Sequence, residues 1–248
     1  MLRSCLMALC LLCLAGSVAG AAEPAKVVVV AHDATSPPME YMEKRKIIGY
    51  SVDYIDAVAK EAGFRVEHKD MDWDGSFSGL TGKQYDVLAS SVTITEERLK
   101  VVNFSTPYYE VRQVLITPKN ADVSSLAAMK GKSVGAKFGT TGYMSLKKVR
   151  GINALAFETT GLAISSLLLD RIDGVVCDDL VATNFLQKNQ AYADKLKISF
   201  VLSGDKPEYY GFAVSQDNKE LLARLNSGIA AVKAKGIEKE LVKKWIEQ

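Results

Sequence analysis

Histidine and cysteine, which supply many metal sites and catalytic nucleophiles, are scarce in this sequence. The two histidines, His32 and His68, lie in separate segments, and neither belongs to a metal-ligand motif. The sequence also lacks a G-x-S-x-G elbow, a G-x-G-x-x-G fingerprint and a Walker motif. These absences argue against a metalloenzyme, a serine hydrolase and a nucleotide-binding protein, and we expect neither a metal nor a cofactor.

Three of the four cysteines are confined to an N-terminal segment that has the features of a secretory signal peptide. Arg3 supplies positive charge, residues 6–14 form an apolar stretch, and Ala19-Gly20-Ala21 offers small residues for cleavage. We expect a signal peptide over residues 1–21 and a periplasmic location. Only Cys177 would then remain, so the mature protein can form no internal disulfide and depends on its hydrophobic core.

Neither sign of charge is in clear excess, because 31 lysines and arginines accompany 29 aspartates and glutamates. No basic stripe is evident, which argues against nucleic acid as a partner. After the N-terminal segment no long apolar run follows, and the segment's own apolar stretch is short for a membrane span. We therefore expect a soluble protein that acts outside the cytoplasm, and we also expect a monomer.

Strand and helix patterns alternate along the chain after the signal segment. Residues 27–31 are an apolar run typical of a buried strand, and residues 49–63 show helical spacing up to a terminal glycine. The alternation restarts after residue 116 and ends in two amphipathic helices, 219–235 and 237–246. This order predicts an α/β fold of parallel βαβ units, with open sheets flanked by helices.

Two extended apolar segments, 111–117 and 209–214, bracket the central part of the chain. If both cross between two lobes, the central part is a second lobe inserted into the first, and a binding site is expected in the cleft between them. A single continuous sheet is the alternative. The predicted division is a first lobe of residues 22–112 and 212–248, a second lobe of residues 117–206, and a two-strand hinge of residues 113–116 and 207–211.

Hydroxyl side chains and one arginine follow the predicted strand 85–89, in the segment SSVTITEERLKVVNFSTPYY at residues 90–109. Ser91 and Thr93 offer hydroxyls where the strand ends, and the planar guanidinium of Arg98 suits a carboxylate through two parallel hydrogen bonds. The segment is either an anion-binding site or an ordinary strand-to-helix turn in which Ser and Thr cap the helix.

The predicted second lobe offers a similar pair of alternatives at Gly139-Thr140-Thr141-Gly142, between a strand and a helix. The N-terminus of a helix presents unpaired N–H groups and a partial positive charge, which can receive a carboxylate. Thr140 and Thr141 either take part in such a site or serve as helix caps.

Two aspartates and a tryptophan complete the candidate site. Asp178 and Asp179 directly follow a predicted buried strand, at the strand end where open α/β sheets bind ligands. Asp178 either holds an ammonium group or caps the next helix, for which Asp179 is the more natural cap. Trp73 follows the second strand, and it either covers a ligand or packs as a half-buried tryptophan.

The chain resembles the family 3 periplasmic solute-binding proteins, the polar amino-acid-binding components of ABC importers, in the ordered segments SPPMEYMEKRKIIGYSVDYIDAVAKEAG, ASSVTITEERLKVVNFSTPYY, KGKSVGAKFGTTGY and DGVVCDDLVA. The resemblance covers essentially the whole chain after the signal segment. It implies the two-lobed type II periplasmic-binding-protein fold, with a two-strand hinge. It also implies that the lobes close over a free α-amino acid, which is delivered to an ABC permease.

The resemblance implies roles for the candidate residues as well. Arg98 would pair with the ligand's carboxylate, aided by Thr93 and by the N–H groups around Thr141. Ser91 and Asp178 would hold the α-ammonium group. These roles suit the residue types, because a guanidinium is a fixed fork of donors and an ionised carboxylate only accepts hydrogen bonds.

Two differences from many relatives and one pair of charged residues indicate which side chain the ligand has. Where many relatives carry an aromatic residue before the proline, and often a phenylalanine after it, this chain has Ser36 and Met39, which leaves Trp73 as the main stacking face. Asp33 and Lys137 match positions that face the distal end of the ligand in relatives, unless both are solvated surface charges. One acid and one base suit a neutral polar end, so we expect glutamine first and a basic amino acid second.

Two other functions stay open at this point. Some relatives resemble cyclohexadienyl dehydratase, which uses the same cleft for an acid-catalysed elimination, and Asp33, Asp74 and Asp178 are the carboxyl groups available for it. The other is a subunit that reports amino acids to a receptor. Binding for transport, without catalysis, is the leading prediction.

Overall fold

The computed structural model of the protein describes residues 27–202 and 207–247. The predicted signal peptide, residues 1–21, lies outside the described residues. Within the described ranges, no helix is both long and apolar enough to cross a membrane.

The strands of the described part are short, and most of them alternate with helices. In chain order they are β1 (Val27–His32), β2 (Thr35–Ser36), β3 (Glu40–Glu43), β4 (Lys46–Ile48), β5 (Arg65–Asp70), β6 (Val87–Leu88), β7 (Val102–Phe104), β8 (Tyr109–Val111), β9 (Gln113–Pro118), β10 (Ser133–Lys137), β11 (Asn153–Phe157), β12 (Gly174–Asp178), β13 (Leu196–Val201), β14 (Glu208–Tyr210) and β15 (Ala213–Ser215).

The helices cover the faces of the sheets. They are α1 (Tyr50–Ala62), α2 (Ser76–Thr81), α3 (Glu96–Leu99), α4 (Thr141–Lys148), α5 (Thr160–Leu168), α6 (Asp179–Lys188), α7 (Gln190–Lys195), α8 (Lys219–Ala234) and α9 (Ile237–Trp245), with one 3₁₀ turn in the described residues at Leu126–Met129.

Helix α1 forms where the spacing of apolar residues predicts it. Val52, Ile55 and Val58 recur at helical intervals and are buried. The helix ends at Gly63, whose φ of 73° lies in the left-handed region that glycine enters without the steric cost of a Cβ atom. The buried face of α1 therefore packs on the sheet that the neighbouring strands form.

The first sheet has the strand order β5-β1-β6-β15-β7. Strand β1 runs parallel to β5 and β6, whereas β15 returns antiparallel from the far end of the chain. Helices α1 and α8 cover this sheet and pack so closely that a Cβ atom at Gly228 would lie 2.5 Å from the carbonyl oxygen of Val58. We call this sheet with α1–α3, α8 and α9 the first lobe.

The second sheet has the strand order β11-β10-β12-β9-β13 and is built wholly from the central part of the chain. Strands β10, β11 and β12 are parallel, and β9 pairs antiparallel with both β12 and β13. We call this sheet with α4–α7 the second lobe. Because the two sheets are separate, the alternative of one continuous sheet is wrong.

One of the two predicted hinge segments lies inside the second sheet, whereas the other, residues 207–211, contains β14. Residues 113–116, predicted as a hinge segment, lie within β9 in the interior of the second sheet. The strand that pairs with β14 is β8, with Tyr109 opposite Tyr210 and Val111 opposite Glu208. The apolar run 111–117 reads as one strand in the sequence, but it is interrupted at Arg112 and its two parts pair in different sheets. That two strands between the lobes act as a hinge stays a prediction, as do the predicted limits of the two lobes.

A small antiparallel sheet of β2, β3 and β4 follows β1, in a region for which the sequence predicted no strands. It places Ser36 at the cleft and carries Glu40 into the protein interior. This small sheet therefore extends the first lobe toward the binding region.

Candidate functional site

A polar cavity lies between the two lobes, where strands of both sheets end. Nine of the ten predicted site residues line it, and the tenth, Asp33, is bonded to one of the nine. The lining residues are Ser36, Trp73, Ser90, Ser91, Thr93, Arg98, Lys137, Thr140, Thr141, Thr160, Val176, Cys177, Asp178 and Val181.

Arg98 lies in the short helix α3, at the first lobe's side of the cavity. Thr95 begins this helix by accepting a hydrogen bond from the Arg98 backbone N–H at 3.2 Å, so the helix-capping alternative holds for Thr95. The guanidinium donates to the carbonyl oxygen of Thr93 at 2.7 Å and, across the cleft, to that of Gly139 at 3.1 Å. Burial lowers the pKa of Arg98 to about 10, so it stays a cation at neutral pH.

Trp73 is half-buried and supports two cations. The guanidinium carbon of Arg98 lies 5.5 Å from the centre of its ring, and the Lys137 ammonium nitrogen lies 5.7 Å away. Both are within range of cation–π attraction. A Cβ atom at Gly139 would lie 3.0 Å from the Trp73 indole nitrogen, so the GTTG loop can approach the ring this closely because it has a glycine there. Trp73 therefore both lines the cavity and packs against the second lobe.

The N-terminus of α4 forms the opposite wall. Thr140 accepts a hydrogen bond from the Tyr143 N–H at 3.3 Å and donates to the Lys137 carbonyl oxygen at 2.7 Å, so its hydroxyl is a helix cap. Thr141 is the first residue of the helix, and its hydroxyl donates to Glu208 Oε2 at 3.1 Å. The helix end that both threonines occupy faces the cavity with the positive end of its dipole.

Asp178 ends β12 and presents its carboxylate to the cavity. Gln113 Nε2 donates to its Oδ1, and the hydroxyl of Tyr210 donates to its Oδ2. Among the described residues it makes no side-chain cap bond to α6, although it occupies the N-cap position, and Asp179 instead accepts from the Leu180 N–H at 2.9 Å. Burial raises the pKa of Asp178, and the hydrogen bonds from Tyr210 and Gln113 oppose that rise.

Ser91 has a left-handed backbone, with φ 45°, and its hydroxyl donates to Glu40 Oε2 at 2.7 Å. With its proton directed to Glu40, the Ser91 oxygen has lone pairs for the Ser51 hydroxyl, 3.3 Å away, and for a donor in the cavity. Glu40 is fully buried, and burial raises its pKa well above the ordinary range. The role of Glu40 could not be predicted, because it stands among the charged residues of EYMEKRK and nothing local marks it as buried.

Asp33 and Lys137 form a buried ion pair that joins the two lobes. The Lys137 nitrogen lies 2.6 Å from Asp33 Oδ2, and the two side chains are 7% and 6% exposed. Thr35 accepts from Lys137 at 3.0 Å and donates to Asp33 Oδ1 at 2.5 Å. These exposures contradict the alternative that both residues are solvated surface charges.

Five lining residues were not among the predicted site residues: Ser90, Thr160, Val176, Cys177 and Val181. Met39, by contrast, lies fully buried in the core of the first lobe. Within the part of the chain that the structure describes, no group of three or more His, Cys, Asp or Glu side chains is placed to hold a metal ion.

Two α/β lobes that enclose one polar cavity are consistent with the type II periplasmic-binding-protein fold that the resemblance implies. The chain belongs to the bacterial extracellular solute-binding proteins of family 3, whose family model matches residues 28–248. Both the fold and the family inferred from the resemblance are therefore confirmed.

Relatives of known or assigned specificity cover most of the chain. A probable histidine-binding protein of Neisseria gonorrhoeae is 34% identical over 226 residues, which are 89% of this chain and 83% of the relative. The arginine-, lysine-, histidine-binding protein ArtJ of Geobacillus stearothermophilus is 37% identical, with a TM-score of 0.80 over 90% of this chain and 96% of ArtJ. An ancestral arginine-binding protein is 35% identical, with TM-scores of 0.83 bound to arginine (89% of this chain, 98% of that chain) and 0.82 bound to glutamine (90% and 98%).

Proposed function

We propose that this protein binds a free polar α-amino acid between its lobes, in the periplasm, and delivers it to an ABC permease. The observation that carries the proposal is the pair of half-buried, oppositely charged groups, Arg98 and Asp178, which line one cavity from different lobes. A zwitterion is the small molecule whose two charges match such a pair. The names of the relatives support an amino acid as the solute.

The proposed binding mode assigns each end of the ligand to several groups. The carboxylate lies against the guanidinium of Arg98 and the N-terminus of α4 at Thr141, where a cation and a helix dipole both favour an anion. The ammonium lies between Asp178 and the acceptor oxygen of Ser91. Both ends thus bridge the lobes, so the bound ligand favours the arrangement in which the lobes are together.

The charges around the cavity favour a ligand with a neutral side chain. Arg98 compensates the ligand's carboxylate, Asp178 compensates its ammonium, and Lys137 is already paired with Asp33 at 2.6 Å. A glutamine-like side chain leaves this balance unchanged, whereas a basic side chain adds a cation beside Lys137. We therefore propose glutamine first. Arginine or histidine is the second candidate, because relatives of this chain carry those names.

We also propose that the cavity binds without catalysis. An acid-catalysed elimination needs a protonated carboxyl group within reach of the leaving group. Asp178 accepts hydrogen bonds on both oxygens, which suits the ionised form, and Asp33 is bound to Lys137. Binding therefore explains the carboxylates of the site better than acid catalysis does.

Thermal unfolding with a panel of L-amino acids tests the proposal. We expect one or a few polar amino acids, at about a hundred times their dissociation constant, to raise the unfolding temperature by roughly 5–10 °C, because a ligand that binds only the folded state stabilises it. Sugars at the same concentration serve as the control and should leave it unchanged. If no amino acid in the panel raises the unfolding temperature, the proposal is contradicted.

Substitutions in the buried ion pair should change the charge of the preferred side chain. Lys137→Met leaves Asp33 as an unpaired buried anion, so we expect the affinity ratio of arginine to glutamine to rise by roughly tenfold or more. Asp33→Asn leaves an unpaired cation and should favour glutamate instead. Isothermal titration of the three amino acids measures these ratios.

The double variant and one surface lysine provide the controls. Asp33→Asn with Lys137→Met restores neutrality and should return the preference toward glutamine. Lys132→Met removes a lysine whose side chain is 56% exposed and paired with Asp173 at 3.2 Å, and it should change nothing. The same arginine-to-glutamine ratio in the wild type and both single variants would show that the pair does not determine the specificity.

A further inference from the structure

The ligand-binding groups of the second lobe are hydrogen-bonded to strand β14, which connects the lobes. Glu208 and Tyr210 are two residues apart in β14 and so lie on the same face of the strand. Glu208 Oε2 accepts from the Thr141 hydroxyl at 3.1 Å, and the Tyr210 hydroxyl donates to Asp178 Oδ2. Gln113 Nε2 bridges the two acids, donating to Asp178 Oδ1 and to Glu208 Oε2 at 3.3 Å.

This network fixes the orientation of the Asp178 carboxylate. An ionised carboxylate offers about four lone-pair positions, and one donor on each oxygen leaves the remaining positions for a ligand's ammonium. The two donors are themselves held in place. Tyr210 is fully buried and stacks on Tyr109 of β8 with ring centres 6.2 Å apart, and Gln113 is buried in β9.

We propose that Tyr210, Gln113 and Glu208 are positioning residues that couple ligand binding in the second lobe to the connecting strands. The inference rests on the proposed function, since it concerns the same ligand's ammonium and carboxylate. Through Tyr210 and Glu208, one short strand bonds both Asp178, at the ammonium end, and Thr141, at the carboxylate end. A displacement of β14 therefore changes the orientation of both groups, and a ligand that orders both groups restrains β14.

The pH dependence of ligand affinity tests this positioning role independently of the stability of the protein. Burial raises the pKa of Asp178, and the Tyr210 hydrogen bond opposes that rise, so loss of the hydroxyl raises the pKa further. The ammonium requires the ionised carboxylate, so affinity is lost as the pH falls through that pKa. The titratable or charged groups around Asp178 are Tyr210 and Glu208 on β14, Asp179 on α6, Arg98 on α3 and Cys177 on β12.

Tyr210→Phe is the decisive variant, because it removes one hydroxyl and keeps the ring that stacks on Tyr109. We expect it to bind L-glutamine and L-arginine roughly tenfold more weakly at pH 7.5, the loss typical of a hydrogen bond to a charged group. We also expect its affinity to decline at a higher pH than that of the wild type, in calorimetric titrations from pH 5 to pH 8. Tyr109→Phe is the matched control and should leave both properties unchanged.

A second variant and an unfolding measurement separate positioning from folding. Glu208→Ala removes the group that accepts the hydrogen bond of the Thr141 hydroxyl. We expect it to weaken binding several-fold while the unfolding temperature stays unchanged. If Tyr210→Phe does not unfold cooperatively, Glu208→Ala decides the outcome. If both variants bind with the affinity and the pH dependence of the wild type, the inference is overturned and the proposed function stands. If the wild-type protein binds neither amino acid, the proposed function is wrong and the inference falls with it.

Discussion

Arg98→Ala should abolish measurable amino-acid binding, with an expected loss of about 3–5 kcal/mol or more than a hundredfold in affinity. The ligand's carboxylate would then lie in a buried cavity without its cation, and the guanidinium's bond to the Gly139 carbonyl across the cleft would be lost as well. Isothermal titration with the amino acid that most stabilises the wild type is the measurement.

Arg98→Lys distinguishes charge from geometry. The ammonium of lysine keeps the charge but not the planar fork, so it cannot donate to Thr93, Gly139 and a ligand carboxylate in the same arrangement. We expect a loss of tenfold or more. Arg150→Ala, at an exposed arginine after α4, is the control and should bind as the wild type does. Affinity within twofold of the wild type in Arg98→Ala would mean that the carboxylate binds elsewhere.

Asp178→Asn should weaken binding by about 3 kcal/mol or more, although the side chain keeps its size. Asp178 accepts from Gln113 and from Tyr210, one donor to each oxygen. An amide places an NH₂ group against one of these donors, and it also removes the charge that compensates the ammonium. The matched control is Asp179→Asn, at the adjacent carboxylate, which bonds backbone N–H groups outside the cavity lining.

The pH dependence gives this prediction a second measurement. Burial raises the folded-state pKa of Asp178, so the carboxylate becomes protonated at a higher pH than an exposed aspartate does. Affinity should therefore fall on acidification through that pKa. Arg98, with its pKa of about 10, stays charged throughout this range. The Asp178→Asn variant should bind weakly, and its affinity should not fall on acidification through that pKa. If the affinity of the wild type is constant down to pH 4, Asp178 does not bind the ammonium group.

Much of the fold could be predicted because its elements carry local signals. The periodicity of α1 and its terminal Gly63 are both readable within a few residues. The site was predictable for a related reason, since polar residues such as Ser91 and Asp178 follow apolar strands, and the ends of strands converge at one edge of an open sheet. The resemblance to a family then supplied their expected roles, which stay predictions.

What escaped prediction depends on contacts between distant parts of the chain. Gln113 and Tyr210 are 65 and 32 residues from Asp178, and Glu40 is 51 residues from Ser91. Nothing in a local pattern reveals such pairings. The break at Arg112 was missed for the same reason, because an extended segment does not show that the residues on either side of one position pair with different strands.

The ion pair of Asp33 and Lys137 has a consequence for how the lobes meet. Its partners stand at strand ends in different lobes, so moving the lobes apart would return both ions to water. The attraction between two such ions and the hydration that they lose on pairing are of similar size. We therefore expect the pair to specify the alignment of the lobes more than it strengthens their association, so that under the proposed function the bound solute contributes free energy to their closure.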